Sequence, residues 1–171
     1  IVSVFTLNDF IAGNGTPIEV LEGAGTWLAD NTQPGDIVFN ASWNWFPQLY
    51  YWSPEDNYVI GLEPRFLYDY SPRLYYLWVN TGRGYVCDTD DCSEFTAQAA
   101  YTANHPGTPA ALAWDKTEGD ALAAMFTDDF HAHYVMSSYQ YPELNAVLDH
   151  NAHFTKVYGA NRTYYIYKVT P

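Results

Sequence analysis

Asp36-Ile37-Val38-Phe39-Asn40, then Trp43-Asn44-Trp45-Phe46-Pro47-Gln48-Leu49-Tyr50-Tyr51-Trp52, then Tyr58-Val59-Ile60-Gly61-Leu62: the fold of this chain turns on this stretch. The outer pieces are short apolar, β-branched runs. Pro34-Gly35 precedes the first, and Asp56-Asn57 and Glu63-Pro64 bound the second, so they read as strands over 36–40 and 58–62. Phe46 to Trp52 has the length of a short crossover helix. Upstream, Val20, Leu21, Ala24, Trp27 and Leu28 recur at the spacing of one helical face and predict a helix over 18–31. Helix, strand, helix, strand is the order that builds a parallel sheet with crossovers.

Downstream, the aromatics from Phe66 to Trp78 predict a turn and then a short helix begun at Ser71-Pro72. The segment 80–116 is rich in Gly, Thr and Asp, and reads as a loop-rich insertion with little core of its own. A helix is expected over 117–128, with Thr117 and Asp120 at capping-box positions, then a buried strand over 133–137 and a helix over 142–151 with Pro142 in its first turn. Phe154 to Tyr158 and Thr163 to Val169 alternate with period two around a Gly159–Arg162 turn, as a hairpin does. The expectation is one α/β domain over 1–171 with residues 1–16 as a lead-in. It is a three-layer sandwich whose mainly parallel sheet carries crossover helices and ends in an antiparallel hairpin at the edge.

At 171 residues and 48% hydrophobic composition the chain can build one core, and a second would be cramped. A formal net charge of −13 repels phosphate backbones and anionic lipid surfaces, which argues against nucleic acid as a partner. No run approaches the roughly 20 apolar residues of a membrane span, and no signal-peptide pattern is present. The opening Ile1-Val2-Ser3-Val4-Phe5 lacks a methionine and is read as the start of a mature or excised piece. Cys87 and Cys92 suit a local disulfide closing a loop in an oxidising compartment, with two free thiols as the alternative. Asn14, Asn40 and Asn161 head N-x-[ST] sequons.

Six of the ten residues from Trp43 to Trp52 are aromatic, and they follow a strand whose carboxyl end is where open α/β sheets place ligands. Trp43, Trp45 and Tyr51 could stack on sugar faces while Asn44 and Gln48 read hydroxyls; packing into the core is the competing reading. Glu63 and Arg65, just past the second strand, would share that crevice, as binding groups or as a surface ion pair. These seven residues are the candidate substrate site. His131, His133, His150 and His153 lack the company of a zinc motif, so no metal site is assigned. Asp88, Asp90, Asp91 and Glu94 resemble calcium-ligand spacing without the required glycine and read as a solvated acidic loop. No cofactor motif is visible, and Asp128 or Asp129 with His131 is the weak basis for a hydrolase reading.

Taken together, Pro34 to Leu49, Tyr58 to Pro64, Phe66-Leu67-Tyr68, His133 to Met136 and the final hairpin resemble the carboxy-terminal extracytoplasmic domain of polytopic membrane glycosyltransferases. That class is related to protein O-mannosyltransferases and oligosaccharyltransferases and uses lipid-linked sugars. The resemblance covers 17–79 and 117–169. It implies a domain displayed outside the cytoplasm and tethered to the membrane through its own transmembrane region, supporting glycosyl transfer and contacting carbohydrate or lipid-linked sugar. Catalytic acids of that class lie between membrane helices, so none is carried onto this chain. The rival reading is a secreted carbohydrate-binding or adhesion module.

Overall fold

The computed structural model describes residues 17–159 and 162–170. The lead-in 1–16 and the sequons at Asn14 and Asn161 lie outside them. A short 3-10 turn at Ile18–Leu21 runs into helix α1 (Glu22–Asn31), followed by strand β1 (Ile37–Asn40), a second 3-10 turn at Trp43–Trp45 and helix α2 (Phe46–Trp52). Strand β2 (Asn57–Tyr58) leads to helices α3 (Pro64–Tyr70), α4 (Pro72–Thr81), α5 (Ser93–Asn104) and α6 (Pro109–Asp128). Strand β3 (Tyr134–Ser138), helix α7 (Pro142–His150) and strands β4 (Phe154–Tyr158) and β5 (Tyr164–Val169) complete the chain.

The sheet order is β2-β1-β3-β5-β4. β1 runs parallel to both β2 and β3, while β5 pairs antiparallel with β3 and β4, so the hairpin occupies one edge as expected. Successive strand residues face opposite sides. Val38 and its partner Tyr134 face α1, where Trp27 meets the Tyr134 ring edge-on at 6.0 Å. Phe39 and its neighbours Val135 and Tyr167 face α6 and α7: Phe39 packs 4.8 Å from Phe126, and the Tyr167 hydroxyl donates to Asp149 at 2.9 Å. Helices therefore cover both faces, which is why all five residues of β3 are buried.

The second strand is shorter than the expected 58–62. After Val59 donates to the Val38 carbonyl, the Asn40 side chain takes over from the backbone ladder: its Oδ1 accepts from the Ile60 amide (3.2 Å) and its Nδ2 donates to the Ile60 carbonyl (2.9 Å). A side-chain amide thus ends β1 and frees the chain to turn at Gly61. Asn40 is 0% exposed, and Nδ2 also reaches the Ser42 carbonyl, so the folded chain offers no glycan acceptor at this sequon.

Two further expectations need correction. The segment 80–116 is not loop-rich: α5 and the first turns of α6, from Pro109 to Lys116, lie within it, and Tyr85, Cys92 and Ala99 form a small core of their own with Phe95 and Trp114. The Thr117–Asp120 capping box does not exist, because α6 begins at Pro109, where the Thr108 hydroxyl accepts from the Ala111 amide. Ala-rich turns carried no strong apolar stripe, but burial of Ala99, Thr102 and Ala111 supplies what local pattern did not.

Cys87 and Cys92 are joined as a disulfide, as the spacing suggested, and such bonds persist in oxidising compartments outside the cytosol. The buried Asn80 side chain holds the small loop from beneath through the Cys87 and Thr89 carbonyls, both at 3.0 Å. Loop closure over so few residues contributes about 2 kcal/mol in the chain-entropy account. Replacing both cysteines with serine should lower stability by about that amount in urea unfolding; an unchanged midpoint would show that Asn80 alone sets the loop.

Candidate functional site

The carboxyl ends of β1, β2 and β3 lie together because the three strands are parallel. Over them sits a groove of about 590 Å³, whose walls include Trp43, Glu63, Arg65, Tyr68, Tyr75 and Tyr76. Each wall has a local cause. Glu63 is the residue before α3, with its Oε1 accepting from the Arg65 amide at 3.3 Å and Pro64 at the first helical position. Ser71 ends α3 and starts α4, and its hydroxyl accepts from the Leu74 amide at 3.3 Å. That corner turns the two helices against each other and gathers their tyrosines. Tyr68 and Tyr75 meet at 5.3 Å and 90°, Tyr68 and Tyr76 at 6.1 Å and 85°, and Tyr75 and Tyr76 at 5.4 Å and 73°. Beneath them the Trp78 indole donates to the Asn40 carbonyl at 3.0 Å, tying α4 to the end of β1.

The seven candidate residues divide. Trp43, 44% exposed, joins Glu63 and Arg65 in the groove. Asn44, Trp45 and Gln48 instead border a separate cavity of about 190 Å³ with Gln140 and Tyr164. There Trp45 is only 7% exposed, its ring edge-on to Tyr141 and Tyr164, which is a packing role. Tyr51, on α2, is exposed and leans on Trp52, and it lines neither space. Glu63 and Arg65 are not an ion pair with each other, since the guanidinium reaches Asp69 at 3.5 Å. Tyr68, Tyr75 and Tyr76 were not among the candidates; the Tyr75-Tyr76 pair just after a Ser-Pro helix start was the available signal. Desolvation among these rings, then Tyr68 and Asp90, hold the Tyr76 phenol above its ordinary pKa.

The histidines are spent on backbone. His131 donates from Nδ1 to the Thr127 carbonyl, and His150 bonds Ala146 and pairs with Asp115 at 3.2 Å. Among the described residues no group of three or more His, Cys, Asp or Glu is placed to hold a metal ion. Asp129, part of the hydrolase reading, is gripped by Arg73 at 2.6 Å. A cavity of about 470 Å³ beside α6 and α7 is bordered by Lys116, Asp120, His150 and Asn151, but these groups largely bond one another: Asn151 Nδ2 reaches the Lys116 carbonyl and Asp120 Oδ1, and Lys116 pairs with Asp120 at 2.9 Å. Burial raises the carboxyl pKa of Asp115, which His150 partly offsets, and burial raises that of Glu118, which the Val86 amide partly offsets. Both carboxylates sit inside the helical layer and away from the groove walls.

No family model, curated protein or solved structure matches the chain. None of the described helices is long and apolar enough to cross a membrane. The chemistry that the groove offers is therefore read from its walls alone: flat aromatic faces, one carboxylate, one guanidinium, and no assembled nucleophile or general-base pair.

Proposed function

We propose that this chain is the non-catalytic extracytoplasmic domain of a membrane glycosyltransferase, and that the groove beside Trp43 holds a sugar of the donor or acceptor while transfer occurs elsewhere in the protein. The observation that carries the reading is the groove itself: an exposed indole and a tyrosine cluster lining one space, with Glu63 and Arg65 among its walls, at the carboxyl edge of the parallel strands. Aromatic faces pack against the C–H faces of a pyranose, and the rim groups suit its hydroxyls. The disulfide fits display outside the cytoplasm, where the transmembrane region of the larger protein would tether the domain.

A panel of oligosaccharides titrated against the chain by calorimetry, with the Trp43 indole resonance locating the site in the parent protein, tests the groove. Trp43→Ala should weaken binding by about ten-fold or more, because one stacking face is lost. Binding that survives unchanged in this variant would remove the groove from the reading. The isolated chain should transfer no sugar from any donor. In the larger protein, Trp43→Ala should lower transfer through KM more than kcat, since the groove positions substrate and does not react with it. A secreted sugar-binding module would bind in the same way, but would separate from membranes when the whole gene product is fractionated.

A further inference from the structure

We infer that the groove is selective for a sugar that carries a protonated amine, with Glu63 as the group that recognises the ammonium and the Trp43 and tyrosine rings as the wall around it. The inference rests on the carbohydrate reading of the same groove. Its basis is the charge left over on the walls. The one guanidinium, Arg65, is balanced by Asp69 a helical turn away. Glu63 has no basic side chain within ion-pair distance among the described residues, and its hydrogen bond to the Arg65 amide engages Oε1 and leaves Oε2 free. Asp90, exposed and not one of the groove walls, adds to the negative field that raises the Tyr76 pKa and has no basic partner among the described residues. The groove thus carries one carboxylate, Glu63, without a basic side-chain partner beside its aromatic rings.

Tyr68, Tyr75 and Tyr76 lie at 73° to 90° to one another, and Trp43 lines the same groove. Electron-rich faces set at steep angles, with a carboxylate at the rim, are suited to a cation on an apolar ring, through cation–π attraction and a charge-assisted hydrogen bond. An anionic sugar would meet Glu63 and the −13 charge of the whole chain. A neutral sugar would stack but leave Glu63 without a counter-charge. An amino sugar satisfies both.

The test compares three matched trisaccharides at about pH 6, where the sugar amine is protonated: a β-1,4-glucosamine trimer, its fully N-acetylated form and the neutral glucose trimer. The Trp43 indole N–H resonance, assigned with Trp43→Phe, reports occupancy of the groove. The glucosamine trimer should bind about ten-fold tighter than the other two at roughly 0.15 M salt. Glu63→Gln, which keeps the cap to the Arg65 amide and removes the charge, should erase that preference and leave the weaker binding of the neutral trimers. Asp30→Asn, on α1 and exposed, controls for the field of the whole chain. Equal affinity for all three trimers overturns the amine selectivity and leaves the carbohydrate reading standing. So does a preference that persists in Glu63→Gln, or one that Asp30→Asn weakens as much. If no trimer moves the Trp43 resonance, the carbohydrate reading falls and the selectivity with it.

Discussion

Asn40→Ala should cost about 3 to 5 kcal/mol of stability, more than its small change in volume would suggest. The side chain makes three hydrogen bonds in a site closed to water: to the Ile60 amide, to the Ile60 carbonyl and to the Ser42 carbonyl. Alanine leaves the two Ile60 groups buried without partners, and an orphaned backbone group costs about 1 to 3 kcal/mol. The loss should spread to the groove, because Asn40 ends β1 just before Trp43 and its carbonyl receives the Trp78 indole. Urea unfolding measures the first effect and sugar titration the second. Asn40→Asp sharpens the argument. It keeps the acceptor for the Ile60 amide but turns a carboxylate toward two carbonyl oxygens, so it should be no better than alanine at neutral pH. Burial among acceptors would raise its native-state pKa above the unfolded value, so its stability should recover as the pH falls from that raised value down to the ordinary carboxylate range, with no further gain below it. A loss under about 1 kcal/mol for Asn40→Ala would mean that the turn at Ile60 holds through the backbone alone.

Gly84→Ala is the second large effect, expected at about 3 kcal/mol or more. Gly84 has φ of +77°, where an L side chain is strained, and a Cβ there would fall 2.6 Å from the Glu143 carbonyl oxygen and 3.1 Å from the Leu144 amide. Those atoms belong to the backbone of the first turn of α7 and cannot swing aside. Left-handed strain accounts for about 1 to 2 kcal/mol and the clash for a further 1 to 3. Gly35→Ala isolates the first part, because Gly35 has φ of +90° and nothing within 4 Å of its would-be Cβ. The two variants should therefore differ by about 1 to 3 kcal/mol in thermal or urea unfolding. Equal losses would show that α7 yields to the extra methyl, and that its close approach to the end of α4 does not hold the helical layer.

Gly84 and Asn40 also mark how far local pattern could be followed. Gly84 reads as one more loop glycine until α7 is laid against it. The amide of Asn40 reads as the polar end of a strand until Ile60, twenty residues on, is brought beside it. The candidate site shows the same limit. Trp43 and Trp45 are two apart in a stretch that could have placed both rings together, but in a 3-10 turn with three residues per turn they diverge, one toward the groove and the other into the packing around Tyr141 and Tyr164. Glu63 and Arg65 were placed at the groove because they follow the second strand's carboxyl end, whereas the tyrosines of α3 and α4 reach it only through the Ser71 corner.

What can be read along the chain is what depends on neighbours within a few residues. The apolar runs of β1 and β3, the alternating hairpin, the α1 and α7 faces, the parallel order that follows from a short crossover and the bond between Cys87 and Cys92 all belong here, because period, turn residues and loop length act locally. The helices within 80–116, the early end of β2 and the division of the aromatic cluster between groove and core depended on partners far away in sequence. Marginal helices gain their stability from burial, a backbone ladder can be ended by a side chain from another strand, and an aromatic ring is a site or a core residue according to what packs on its other face.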